Sequence, residues 1–326
     1  MFYALKTFLF ETTVVLSDND KQPFTFYTLR SEDINLGDVY IAQITQKMPE
    51  QKAFFADIGN GRSVYIACES ALKIGDRVKV VIIKEPRAGK IAQGKYCIDS
   101  TGEKMPVGLY QKGDILAGIQ NPDDWQQIDW REEFDDMIAE AADVFVPFAN
   151  GAQVIIERTH AFYSIDVDSH TSTAGLHKLN EQAAVVIAKE IIKRNMSGNI
   201  LIDFIGSKRK DEMTALKNIL SEQLSKSPVP YRILGVSPMG NLEVRRQRMR
   251  SGYDDAKRLD SFTAYTLFKD ILKRPQNIEQ IRVGLGLYAA LTTLMQKTWD
   301  VVQNKAGYKL SLIADTKITD YKIEYK

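Results

Sequence analysis

Three aspartates stand where strands would rather have none. The run Ser164-Ile165-Asp166-Val167-Asp168-Ser169 alternates with a period of two. Phe162, Ser164, Asp166 and Asp168 therefore share one face of a strand, and Tyr163, Ile165 and Val167 the other. A second apolar run, Leu201-Ile202-Asp203-Phe204-Ile205, puts Asp203 on the face of Leu201 and Ile205. An Asp in a β-branched strand is disfavoured by propensity and by the cost of withdrawing a carboxylate from water. Such a conflict is expected where a site sets the sequence. Carboxylates brought together need a proton or a cation between them. Mg²⁺ suits that need, because it is a hard ion that takes one or two carboxylates, keeps several waters and bridges to phosphate. It can orient a water, lower its pKa and polarise phosphoryl oxygens. A basic stretch further on, with Arg245, Arg246 and Arg248, would hold phosphates in bidentate fashion. The combination describes metal-assisted phosphodiester hydrolysis. The alternative is an acidic strand pair that binds nothing, its arginines paired with Glu243 and an acidic helix.

For the aspartates to meet, their strands must be neighbours. Between them lies a helical pattern over residues 178–193, with Ala183, Ala184, Ile187 and Ile191 as its apolar stripe and Met196-Ser197-Gly198-Asn199 as its stop. A strand–helix–strand unit with a right-handed crossover makes the two acidic strands parallel and adjacent. A strand at 154–157 pairs with the first of them in a hairpin around Thr159-His160. A second helix at 211–224 and a strand at 231–236 complete an α/β pattern over residues 134–250, the expected catalytic domain. Two other chemistries find little support. His160, His170 and His177 lie in polar turns, no strained nucleophile turn is visible, and no phosphate-binding or dinucleotide glycine loop is present.

Upstream, residues 37–94 read as short strands at 39–44, 52–57, 63–66, 77–83 and 90–92, punctuated by Gly59, Gly61, Gly75 and Gly89. Five short strands in so small a span suggest an OB-type barrel. Phe54, Phe55 and Tyr65 fall near its glycine turn, and Lys84, Arg87 and Lys90 near its last hairpin. Aromatics with cations on one barrel face make a stacking platform for single-stranded nucleic acid. Alternation puts Phe54 and Phe55 on opposite faces, so one of them belongs to the core. Residues 1–36 form an N-terminal β segment with strands at 3–9, 13–16 and 24–29. Residues 95–133 lose periodicity around Gly102, Pro106, Gly108 and Pro122 and read as a linker or reduced subdomain. The acidic run that follows is the solvated side of an amphipathic helix, by the spacing of Phe134, Met137, Ile138 and Ala141. Residues 251–326, with helices at 261–273 and 287–304 and a strand at 308–314, read as a packing region.

The whole chain sets limits. It has 326 residues, long enough for two domains, and its 44% hydrophobic and 26% charged residues are ordinary for a globular protein. A net charge of +1 excludes a uniformly basic nucleic-acid binder but not a local basic patch. Cys68 and Cys97 are far apart, which argues for a reducing compartment and against a zinc site or disulfide framework. The apolar N-terminus lacks a basic leader region, and no run is long enough to span a bilayer, so a cytoplasmic protein without a membrane partner is expected.

The run from Phe134 to Arg248 resembles the catalytic region of the RNase E/G family of bacterial endoribonucleases. The pieces that carry the resemblance are Ile155–Ser169 (I-I-E-R-T-H-A-F-Y-S-I-D-V-D-S), Asn180–Ala184 (N-E-Q-A-A), Gly198–Ile205 (G-N-I-L-I-D-F-I) and Gly240–Arg248 (G-N-L-E-V-R-R-Q-R), in the family's order and nearly its spacing. The barrel resembles the family's OB-fold (S1-like) RNA-binding domain. The resemblance implies a multidomain α+β protein, with that barrel followed by a DNase I-like α/β catalytic domain. It implies Mg²⁺-dependent cleavage of single-stranded RNA to 5′-phosphate and 3′-hydroxyl ends. It also implies metal binding by Asp166 and Asp203, a third catalytic position at Asp168, and RNA contacts by Phe55, Tyr65, Lys84, Lys90, Arg246 and Arg248.

Departures from the family pattern carry their own expectations. The third catalytic position is usually Asn, and Asp168 adds a negative charge beside the metal; the second Asp of the family's I-D-F-I-D is Gly206. The family's 5′-monophosphate sensor lies in a segment far longer than residues 95–133, so no sensing of 5′ phosphorylation is expected. Its two-cysteine zinc link has no counterpart, so any homodimer is made otherwise. A non-catalytic RNA-binding or ribosome-associated protein of the same fold is the rival reading.

Overall fold

The computed structural model describes residues 1–87, 90–101, 105–119, 121–148, 151–173, 175–206 and 209–326. The chain opens with β1 (Phe2–Phe8), β2 (Glu11–Ser17) and β3 (Pro23–Arg30), as alternation predicted. The barrel follows as β4 (Val39–Met48), β5 (Ala53–Asp57), β6 (Ser63–Ala67), β7 (Arg77–Lys84), β8 (Ala92–Thr101) and β9 (Gly108–Gln111). After it come β10 (Gln126–Ile128), α1 (Glu132–Glu140), β11 (Phe145–Phe148), β12 (Ala152–Arg158), β13 (Phe162–Asp168), α2 (Leu176–Lys193) and β14 (Gly198–Asp203). Then follow α3 (Lys210–Leu224), β15 (Tyr231–Val236) and β16 (Leu242–Arg246). The last part holds α4 (Tyr253–Ala256), α5 (Asp260–Lys273), β17 (Ile278–Val283), α6 (Leu285–Thr292), α7 (Gln296–Ala306), β18 (Leu312–Ala314) and β19 (Tyr321–Tyr325).

These elements form two compact units. One comprises Met1–Lys6, Thr13–Tyr27 and Leu116–Asp254; the other comprises Thr7–Thr12, Thr28–Ile115 and Asp255–Lys326. The first unit is built on a six-stranded sheet in the order β11-β12-β13-β14-β16-β15. Alternation sends Val154, Ile156, Tyr163, Ile165, Val167, Ile200, Ile202, Leu242 and Val244 to one face, where they pack with Ala183, Ile187 and Ile191 of α2 and Leu216 and Leu220 of α3. Both helices thus cover the same face, and the other face carries the polar residues. β13 and β14 are neighbours and parallel, as the crossover rule requires. A smaller sheet, β10-β1-β2-β3, uses the N-terminal strands, and Phe134 and Met137 of α1 pack with Ala4, Val15 and Phe26.

In the second unit β4 pairs with both β5 and β7, which closes the ring β4-β5-β6-β8-β7. Among the described residues the only parallel pair of that ring is β6 with β8. Strand order 1-2-3-5-4 in a closed five-stranded barrel is the OB arrangement. The core is filled by Tyr40, Ile44, Phe54, Ile58, Val64, Ile66, Val78, Val80 and Ile82. Gly94 is required where β8 crosses this core, because a Cβ there would lie 2.1 Å from Val80 Cγ1 and 3.0 Å from Val64 Cγ2. The barrel does not end at residue 94: β8 runs on to Thr101, and β9 adds a further strand beside β4. Gly94 interrupts the apolar alternation, so the continuation of the strand has no signal in the sequence pattern. The C-terminal region is an α/β assembly whose sheet, β18-β17-β19, backs on α5, α6 and α7. The single helix expected over 287–304 is two, broken around Thr293 (φ −125, ψ −86), and a further strand, β19, lies in the C-terminal tail. No helix among the described residues is long and apolar enough to cross a membrane.

Candidate active site

The strand register brings Asp166 directly opposite Asp203 on the parallel pair β13–β14. Both side chains are exposed on the uncovered face of the sheet. On the helix side, their neighbours Ile165, Val167 and Ile202 are buried, so each carboxylate is held by an apolar anchor on either side of it in sequence or register. Beyond β14 the chain is secured by Asn180, which is buried. Its Nδ2 donates to the Ile205 carbonyl at 2.9 Å, and the Ile205 N–H donates back to Asn180 Oδ1 at 3.2 Å. Asn180 thereby fixes the end of the strand that carries Asp203, a positioning role that the N-E-Q-A-A motif alone did not reveal. Gly206 follows in a left-handed conformation (φ +59).

The carboxylates differ in their electrostatics. Partial burial, and next the charge of Asp203, push the Asp166 carboxyl above the ordinary range. Asp168 is held below it, because its Oδ1 accepts the His170 backbone N–H at 2.9 Å and its Oδ2 accepts Gln153 Nε2 at 3.0 Å. Gln153 stands opposite Asp168 in the β12–β13 hairpin. Alternation could have found it, since it is a polar residue of β12 on the carboxylate face. The two aspartates of β13 are two residues apart on the same face, and no group of three or more acidic, histidine or cysteine side chains among the described residues is close enough to surround one ion. The site is therefore a carboxylate pair with a third carboxylate beside it. That donor set fits Mg²⁺, which takes one or two carboxylates and fills its remaining positions with water.

The basic stretch divides by alternation. Arg245 is exposed on the carboxylate face, opposite Asn199. Arg246 points the other way and is only 2% exposed. Its guanidinium donates to Asn195 Oδ1 at 2.9 Å, the Met196 carbonyl at 2.8 Å and Ser227 Oγ at 2.9 Å. Burial lowers its pKa to about 10, so it stays charged at neutral pH. The expectation that Arg246 engages RNA is corrected: it is a core cation that ties β16 to the segment between α2 and β14. Arg248 is half-buried and donates to Ser197 Oγ at 3.0 Å and to the Ser197 carbonyl at 3.1 Å. Neither joins the carboxylate face.

On the barrel, three of the residues singled out, Phe55, Tyr65 and Lys84, fall in one row. Register pairs Gln46 with Phe55, Phe55 with Tyr65, Tyr65 with Gln93, and Gln93 with Lys84. Registered neighbours share a face, so these five residues form one row across the outside of the barrel. Phe55 and Tyr65 meet edge to face with ring centroids 5.7 Å apart, and both are half-buried. Phe54 is the core partner that alternation required. Lys90 is exposed in the hairpin closed by paired backbone bonds between Arg87 and Lys90, at 3.0 and 2.8 Å. Gln46 and Gln93 carry no signal in the sequence, because only pairing of the barrel strands brings residues of five strands into one row.

With this geometry in view, comparison with known proteins gives one consistent result. Residues 116–249 match the model of the Ribonuclease E/G family. Ribonuclease G of Salmonella typhimurium is 30% identical over 115 residues, which is 33% of this chain and 24% of that protein. Ribonuclease G of Escherichia coli is 28% identical over the same length and the same shares. Ribonuclease E of Escherichia coli is 31% identical over 110 residues, 32% of this chain and 10% of that protein. The chain therefore spans about a quarter or less of the length of these relatives.

Proposed function

We propose that the chain is an endoribonuclease that uses Mg²⁺ to hydrolyse single-stranded RNA in the cytoplasm, leaving 5′-phosphate and 3′-hydroxyl ends. The observation that carries this reading is the register of Asp166 opposite Asp203 on an open sheet face, inside the segment that matches the Ribonuclease E/G family. We read the helix-backed sheet as the DNase I-like catalytic domain and the barrel as the RNA-binding domain.

Asp166 and Asp203 would hold the ion, and the ion would supply charge neutralisation at the scissile phosphate and a more acidic water. The chain's own residues do the rest. Asp168, kept ionised by Gln153 and the His170 N–H, is an acceptor that can orient the attacking water from beside the pair. Water adds to phosphorus, the bond to the 3′ oxygen breaks, and that oxygen leaves with a proton. Phe55 and Tyr65 offer rings for base stacking, and Lys84 and Lys90 offer charge to the backbone. The barrel geometry supports RNA capture independently of cleavage. It therefore keeps a second reading open, a non-catalytic RNA-binding protein in which Asp168 replaces the family's Asn.

The test is cleavage of an end-labelled single-stranded RNA with Mg²⁺, with EDTA, and by Asp166→Asn. Cleavage by the wild type alone, with 5′-phosphate products, supports the nuclease. RNA bound equally by both proteins and cut by neither supports the binding protein.

A further inference from the structure

A second row crosses the same open sheet face. Arg232 of β15 stands opposite Arg245 of β16, Arg245 opposite Asn199 of β14, and Asn199 opposite Phe162 of β13. Arg232, Arg245 and Asn199 are exposed, and Phe162 is half-buried. The row lies four residues along β14 from Asp203, or about 13 Å at the usual rise of a strand. Between the two rows runs a third, in which Glu243, Leu201, Ser164 and Glu157 stand opposite one another in turn.

The arginine pair is at odds with the fold that contains it. Like charges directly opposite one another on neighbouring strands are destabilising. Among the described residues neither Arg232 nor Arg245 has an ion pair or a side-chain hydrogen bond, although Glu243 lies two residues from Arg245 on the same face. Inside the molecule, then, the pair costs stability and returns nothing. Two unpartnered guanidinium groups side by side on an open surface match one kind of occupant, a polyanion whose phosphate accepts from both. The aromatic ring and the amide in the same row match a nucleobase next to that phosphate.

We propose that the row Arg232–Arg245–Asn199–Phe162 is a binding subsite for the substrate strand of single-stranded RNA, with the arginines on a backbone phosphate and Phe162 and Asn199 on an adjacent base. The proposal rests on the nuclease reading for its direction: the subsite holds the strand on one side of the bond that the carboxylate pair addresses. It also accounts for the division of the basic stretch, in which Arg245 faces the site and Arg246 holds the fold.

The experiment compares Arg232→Gln, Arg245→Gln, the double variant and Phe162→Leu with the wild type. Binding is measured in an Asp166→Asn background across a salt series, cleavage with a set of single-stranded RNAs of increasing length, and melting without RNA. The double variant is expected to bind roughly tenfold more weakly at low salt, with a salt slope shallower by about 0.7 for each phosphate no longer neutralised. In cleavage KM rises and kcat holds, and the effect appears only with RNAs long enough to reach both rows. Melting temperature stays level or rises, because a like-charge pair has been removed. Unchanged affinity, slope and KM would overturn the subsite, as would a drop in melting temperature that accounts for the weaker binding, or binding of an acidic peptide in preference to RNA. If the wild type fails to cut but the double variant still loses RNA affinity, the nuclease reading fails and the subsite stands. If the wild type cuts and the double variant behaves identically, the subsite fails and the nuclease stands.

Discussion

Asp166 is the residue whose environment says most about the site. Its carboxyl is raised, by burial first and by Asp203 second, so the folded chain holds that proton more tightly than the unfolded chain does. Between the ordinary carboxylate value and the raised one, folding stability therefore falls as pH rises. Asp166→Asn removes the repulsion. The variant is expected to melt higher than the wild type at neutral pH without metal, to lose the Mg²⁺-dependent rise in melting temperature, and to lose cleavage. A melting curve with and without Mg²⁺ checks the first two, and no metal-dependent shift in the wild type would count against the carboxylate pair as the ion's site. Asp168 has the opposite sign. Its lowered pKa comes first from the His170 N–H and next from Gln153, so its contribution is present at neutral pH and is lost as pH falls through the lowered value. Gln153→Leu takes away one of its two donors. A loss of roughly fivefold in kcat with little change in melting temperature is expected, and an unchanged kcat would show that Asp168 needs no orientation.

At the scale of the element, β16 shows how one strand serves two purposes. Leu242, Val244 and Arg246 face the helices and Glu243 and Arg245 face the open side. Arg246→Met would leave Asn195, the Met196 carbonyl and Ser227 without their donor. A cost on the order of 3 kcal/mol in chemical denaturation is expected, because polar groups left buried and unpaired are expensive. Arg245→Gln, its neighbour, should cost nothing in the same measurement. In the barrel, Gly94→Ala would force a Cβ to within 2.1 Å of Val80 Cγ1. Overpacking of about 1–3 kcal/mol is expected, and a double change that also shortens Val80 to Ala should recover part of it.

For the whole molecule, the proposed function divides between two units, the barrel's unit as the one that would capture RNA and the helix-backed sheet's unit as the one that would cut it. With a net charge of +1, RNA affinity has to come from local features rather than from the overall field. Phe55→Ala or Tyr65→Ala should each weaken RNA binding by about 1–3 kcal/mol, read as a rise in KM while the rate at saturating RNA holds. Equal loss of both parameters would mean that the barrel row takes part in the transition state. The short stretch between barrel and helix-backed sheet predicts no preference between 5′-monophosphorylated and 5′-triphosphorylated RNA; a marked preference for the monophosphate would show that another surface does the sensing.

Much of this was legible in the chain. Period-two alternation placed Asp166, Asp168 and Asp203 on strand faces, the intervening helix made two of those strands parallel neighbours, and glycine spacing announced the barrel, because these are local consequences of backbone geometry. Residue 94 as the end of the barrel, a single helix over 287–304 and Arg246 as an RNA contact were not borne out, since each depended on what a segment packs against. What only the tertiary structure decided is register. The opposition of Asp166 to Asp203, the Gln153 amide on Asp168, the row from Gln46 to Lys84 and the pairing of Arg232 with Arg245 all join residues from different strands. A slip of one residue would turn each of them to the other face of its sheet. A sequence can state which residues want a face; which partners they meet there is set by the hydrogen-bonded ladder, and that exists only once the sheet has closed.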